Sequence, residues 1–267
     1  MADVFTVPFL RIALLGGLIV GCLCAFLGIH VVLRRIVFVG AALAQVSSSG
    51  VGLALCTNTN VSVVSLVLTL LGVATFSVKS AEGRITQESL IGVAYSAASA
   101  LAVLFVAKSA HAEAHLLNVL SGNILTITPG QVWLMTTLLV CTLLIHTLFY
   151  KQFLFSAFDS ETAKACGIRA GFWDLLFYVI LGVAVSFSIR VVGTLLAFGF
   201  LVVPAVIALL LSQRFAGIYT IATSSAWVST ILGLVLSYRL DLPTGPTIVA
   251  VLGVLLVVAW IVSKLTR

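Results

Sequence analysis

The sequence predicts an all-α polytopic membrane protein of about nine transmembrane helices, on three observations. The first is composition. The 267 residues are 61% hydrophobic and 8% charged, with a mean hydropathy of +1.26, whereas a soluble domain is about a quarter charged. That much apolar surface cannot be hidden inside a chain of this size, so the bilayer must be its solvent. The second is length: apolar runs of about 17–25 residues recur along the chain, enough for a helix to cross the hydrocarbon core. They cover residues 9–32, 37–56, 61–78, 88–107, 132–150, 172–187, 191–211, 217–237 and 246–263. The third is charge. Basic residues cluster at the ends of these runs, where they act as topology signals.

Counting the basic residues in alternate loops orients the chain. One set holds Arg34, Arg35, Lys79, Arg84, Lys151, Lys164, Arg169, Arg214, Lys264 and Arg267; the other holds only Arg11, Lys108, Arg190 and Arg239. The larger set belongs in the cytoplasm. The N-terminus is then outside and the C-terminus inside. The net charge of +6 is spread over span ends and does not point to nucleic acid.

The N-terminus, MADVFTVPFLRIA, lacks a basic leader and a small-residue cleavage site, so no cleaved signal peptide is expected. The second span carries Gly40-Ala41-Ala42-Leu43-Ala44-Gln45-Val46-Ser47-Ser48-Ser49-Gly50. Such small and hydroxyl residues let helices approach closely, and they can also line a polar path. On the path reading the lining residues are Gln45, Ser47, Ser48 and Ser49. Between the fourth and fifth spans, His111 and His115 stand four apart and share a helix face. With Glu113 they could hold zinc or manganese at the outer mouth. Glu113 points to another side of a helix, and that geometry favours a solvated pair. His30 and His146, near span ends, read as structural.

Residues 151–171, KQFLFSAFDSETAKACGIRAG, form the longest polar interruption. Asp159 can cap a short helix, Glu161 suits its positive end, and Gly167 supplies a left-handed stop. Local physics alone favours a solvated connector over a docking helix. The seventh span contains Gly193, Gly199 and Pro204, which implies a kink or break satisfied by neighbouring helices, with Arg190 at its outer end. The eighth span ends in Asp241-Leu-Pro243-Thr-Gly245-Pro246, a tight outer turn.

The five cysteines are not spaced like a zinc site or a disulfide framework. No phosphate-binding Gly-rich loop, Ser-His-Asp set or HExxH motif is present, so the chain does not hydrolyse ATP by any such motif.

Asp159-Ser-Glu161-Thr-Ala163-Lys-Ala-Cys-Gly167 resembles the coupling segment of permeases in ABC importers, in which an acidic residue, an Ala and a Gly recur at this spacing. Leu33-Arg34-Arg35, Ser121-Gly122-Asn123-Ile-Leu, Val192-Gly193-Thr-Leu-Leu, Val203-Pro204-Ala205 and Asp241-Leu-Pro243-Thr-Gly245-Pro246 look like the permeases for zinc, manganese and chelated iron. The resemblance covers nearly the whole chain. It implies a fold like that of the cobalamin-importer permeases, over residues 1–267 as one permease domain in a bacterial inner membrane. It also implies the assembly: a second permease subunit, two cytoplasmic ATPase subunits, and an extracytoplasmic metal-binding receptor. Asp159, Glu161, Ala163 and Gly167 would then couple to the ATPase. The transported ion would be a divalent metal, with no permanently bound cofactor. The sequence departs from the family pattern in the second span. The usual Asp, the His four positions later and the Pro-Gly pair are replaced by Ala41, Gln45 and Ser49-Gly50.

An ion-coupled secondary carrier is the competing class. Such carriers use intramembrane carboxylates or histidines as relays. Here the span interiors are nearly free of acids, with Glu88 and Asp174 near span ends, and that argues for an external motor. A permease for another small solute, such as a metal chelate, stays open.

Overall fold

The computed structural model describes residues 8–77, 87–108, 124, 127–158 and 169–265. Ten helices occupy them: α1 Pro8–Leu33, α2 Phe38–Thr57, α3 Val61–Ser77, α4 Gln87–Ala107, α5 Pro129–Leu148, α6 Tyr150–Phe158, α7 Ala170–Val192, α8 Thr194–Leu211, α9 Phe215–Leu240 and α10 Thr244–Leu265. Among the described residues, eight helices are long and apolar enough to cross a membrane, and Val61–Phe76 in α3 is a shorter apolar helix. Each of the nine apolar runs thus corresponds to a helix. Large side chains stay outside the packed interior, with Trp133 73%, Leu148 74% and Leu265 81% exposed, as a lipid-facing surface requires.

The helix ends explain where the expected bounds were off. α5 starts at Pro129 rather than at 132 because Thr128-Pro129-Gly130-Gln131 is a capping box. The Gln131 amide donates to Thr128 Oγ1 at 3.4 Å, and the Thr128 amide donates to Gln131 Oε1 at 2.9 Å. Pro129 at the first helical position removes an amide that would have had no partner. α5 then ends at Leu148, and a turn at Phe149 leads into α6, of which only Tyr150 fell in the expected fifth span, the rest standing in the polar interruption 151–171. The sixth span, expected over 172–187, runs on to Val192. The boundary is Gly193, at φ 85°, a conformation that only glycine adopts without strain. Arg190 therefore lies in the last turn of α7, over the Phe187 ring at 4.4 Å, rather than at the start of the next helix. Pro204 sits buried inside α8. Asn58 and Asp241, both at φ 51°, stop α2 and α9 in the left-handed conformation. The amides after them bond back to Ala54 and Ser237 at 3.0 and 3.1 Å.

The chain forms two compact units. In one, comprising 1–32, 118–140 and 187–267, helices α8, α9 and α10 pack against one another. α1 joins them through small residues. Gly21 faces Ala226 and Phe200, and Gly28 lies directly on the backbone of Leu201. This is the close approach that small residues permit between helices in lipid. The Trp227 indole also donates to the Leu18 carbonyl at 3.2 Å. In the other unit, comprising 33–117 and 141–186, α2 packs on α3 and α4.

Candidate functional site

α2 carries the path residues expected from sequence. Ser47, Ser48 and Ser49 are all buried. Ser48 donates to the Ala44 carbonyl at 2.9 Å and Ser49 to the Val46 carbonyl at 2.8 Å, both within the helix. Ser47 Oγ lies 3.3 Å from Ser186 Oγ on α7. Back-bonding of this kind satisfies a hydroxyl where no water reaches. Packing is tight here too, because a methyl group on Gly50 would stand 2.6 Å from the Ser65 Cα. Gln45 is different. It is half-buried, like Ala41 one turn before it, and Phe38 beyond them is exposed. Of the four expected path residues, only Gln45 is not buried.

A second polar group was not foreseen as a set. Arg34, just after α1, places Nη1 2.7 Å from Asp174 Oδ1 on α7, and the two side chains are only 8% and 6% exposed. Ser156, near the end of α6, donates to the same Asp174 oxygen and has the Ala170 carbonyl oxygen at 3.3 Å. The Arg34 guanidinium also stands over the Phe177 ring at 4.3 Å. An aromatic wall closes the group. His146 stacks on Phe153 at 4.3 Å between ring centres and meets Phe177 edge-on, while its Nδ1 lies 2.9 Å from the Thr142 carbonyl oxygen. The signal was available in the sequence: an acid inside an apolar run needs a partner. Which of the basic residues supplies it could not be read from spacing, since Arg34 and Asp174 are 140 positions apart.

Asp159, Glu161, Ala163 and Gly167, expected to couple to an ATPase, lie outside the described residues, as do His111 and His115. The described helix in this part of the chain is α6, which precedes Asp159. Among the described residues, no three His, Cys, Asp or Glu side chains come together as a metal site. His30 packs on Phe26 and Tyr219.

Comparison with known proteins places this architecture. Residues 6–263 match the profile of the ABC 3 transport family. The manganese transport system membrane protein MntC of Listeria monocytogenes is 27% identical over 95% of this chain and 90% of its own length. The chelated iron transport system membrane protein YfeD of Yersinia pestis is 26% identical over 99% of this chain and 89% of its own. The solved structure of PsaBC from Streptococcus pneumoniae in complex with Fab superposes with a TM-score of 0.85. It shares 24% identity, covering 100% of this chain and 98% of that one.

Proposed function

This chain belongs to the ABC 3 transport family, and from that premise we propose that it is the permease of an ATP-driven importer that carries a divalent metal, manganese, iron or zinc, into a bacterial cell. The observation that carries the reading is the family match from residue 6 to residue 263. The protein is a multi-pass membrane protein and a transport subunit. Hydrolysis of ATP belongs to separate cytoplasmic subunits, docked on the segment holding Asp159, Glu161, Ala163 and Gly167. A second permease subunit and an extracytoplasmic receptor complete the assembly. Within it, Gln45 on the open side of α2 faces the path, while Ser47 ties α2 to Ser186 on α7 and Ser48 and Ser49 close on their own helix. A metal that arrives with its own ligands, as a chelate, is a second reading. It is favoured by the half-exposed Ala41 and Gln45, which offer no imidazole, thiolate or carboxylate.

The test is uptake of radiolabelled manganese, iron or zinc into proteoliposomes holding the permease, its ATPase and its receptor. ATP-dependent accumulation is expected, and Gln45→Leu is expected to cut the initial rate about fivefold or more, the loss of one polar contact of ~1 kcal/mol. Accumulation that needs a proton or sodium gradient instead of ATP would remove the importer reading. An unchanged rate for Gln45→Leu would take Gln45 out of the path.

Orientation is tested by cysteine labelling in a cysteine-free background. Lys151 and Leu242 are both exposed, whereas Thr244, in the same outer turn as Leu242, is buried and a poor reporter. Lys151→Cys should react with a membrane-impermeant maleimide only from the cytoplasmic side, and Leu242→Cys only from outside. Reaction of both from one side is incompatible with the topology drawn from the basic residues.

A further inference from the structure

We propose that Arg34, Asp174 and Ser156 form a mechanical joint that passes movement of the 159–168 segment to α2 and hence to Gln45. The inference rests on the reading of 159–168 as the ATPase-coupling segment. Its own support is geometric. Ser156 lies just before that segment and Asp174 just after it, and the two are hydrogen-bonded to each other, with Ala170 also within reach of Ser156. The two roots of the segment are thereby tied together and cannot move independently. Asp174 then passes the tie to Arg34 at 2.7 Å.

Arg34 stands at the head of a very short connection to α2. Only residues 35–37 separate it from Phe38. Within that turn Arg35 is held at φ 56° and the Val39 amide bonds the Ile36 carbonyl at 3.0 Å. A turn so constrained has little slack. α7 and α2 are fastened a second time farther along, through Ser186 and Ser47 at 3.3 Å, and Ser47 is two positions from Gln45. A displacement or rotation of α7 driven at Asp174 therefore reaches α2 at two points, one at its root and one beside the path residue.

The pair has the properties such a joint needs. It is nearly dry, so its attraction is strong and directional compared with an exposed ion pair. Arg34 Nε and Nη2 are buried with no hydrogen-bond partner among the described residues, so the guanidinium is held by a single hydrogen bond to Asp174 and by the Phe177 face. A stability device would be expected to use the bidentate geometry that Arg and carboxylate allow. A single bond about which the guanidinium can turn suits a pivot.

The experiment uses the complete transporter, with permease, ATPase and receptor, in nanodiscs or proteoliposomes. Three quantities are read: retention of the ATPase on the permease, unstimulated hydrolysis, and metal moved per ATP. Ser156→Ala removes one tie. Arg34→Met with Asp174→Leu removes the pair without leaving a lone buried charge, a change that folded proteins tolerate. Both are expected to retain the ATPase and its unstimulated hydrolysis. Metal moved per ATP should fall about tenfold or more, the size of a typical coupling between distant sites. Transport per ATP at the wild-type level in either variant overturns the joint. Loss of the ATPase from the complex also overturns it, since the cluster would then shape the docking surface instead of passing movement on. Failure of both variants to insert would mark the cluster as structural only. The coupling reading itself is judged separately by Ala163→Trp. If that variant keeps its ATPase, the segment does not dock as a close-packed helix, whatever the joint does.

Discussion

Gly28→Val is expected to abolish accumulation of folded protein in the membrane. A methyl group at this position would overlap the Leu201 carbonyl oxygen and stand 2.8 Å from the carbonyl carbon. The obstacle is backbone, so no rotamer change relieves it, and α1 and α8 would have to separate. The cost lies at or beyond the ~3 kcal/mol upper end of ordinary overpacking, a large share of the stability of a typical protein. Even Gly28→Ala should be severe. Gly21 on the same helix provides the contrast, because its added methyl would meet the Ala226 side chain at 3.4 Å, and Gly21→Ala should be mild. Gly92, with nothing within 4 Å, should accept Ala with an effect no larger than ~1 kcal/mol. Yield of monodisperse protein in detergent and its melting temperature read the series. A Gly28→Val protein as abundant and as stable as the parent would show that α1 does not lie against Leu201.

On the proposed docking of the ATPase at Ala163 and Gly167, the largest functional effect is expected there. Docking by a short helix works through a small, close surface, so bulk matters more there than charge. Ala163→Trp should hold that surface away from the ATPase at an overpacking cost of ~1–3 kcal/mol, which lowers affinity about 5- to 150-fold. On the sequence reading of Gly167 as a left-handed stop, Gly167→Val should cost about 1–2 kcal/mol. Both variants should insert normally and lose co-purifying ATPase and receptor-stimulated hydrolysis, whereas Lys164→Ala should change little. Normal ATPase binding by both bulky variants, with loss for Lys164→Ala, would mean an electrostatic contact through a loop.

Much of the fold was legible because bilayer thickness sets a span length, and the length and composition of an apolar run are local properties of sequence. The helix ends were harder to read. Gly182 and Gly193 both stand in apolar runs, yet Gly182 continues α7 and receives the Val73 side chain, while Gly193 breaks the chain at positive φ. What distinguishes them is backbone conformation and packing, and the side chain that Gly182 receives comes from α3, elsewhere in the sequence. The same holds for the polar residues. The small-residue stretch of α2 was visible, but whether a serine closes on its own helix or opens to a path depends on the face that α3, α4 and α7 cover. Arg34 was read as a topology signal and Asp174 as a stray acid near a span end. Their pairing is a tertiary fact, as is the tie from Ser156.

The hydroxyl bonds also set an order of assembly. Ser48, Ser49, Thr69, Ser229 and Thr230 each donate to a carbonyl of their own helix. These groups are satisfied as soon as the helix forms, so each helix can enter lipid one at a time, with no polar group waiting for a companion. Arg34 and Ser47 are exceptions. Their partners, Asp174 and Ser186, both lie on α7 and leave the ribosome long after α1 and α2. During synthesis Arg34 must stay at the headgroup level until α7 arrives, because an unpaired guanidinium does not settle into hydrocarbon. Arrival of α7 is therefore the event that gives Arg34 and Ser47 their partners.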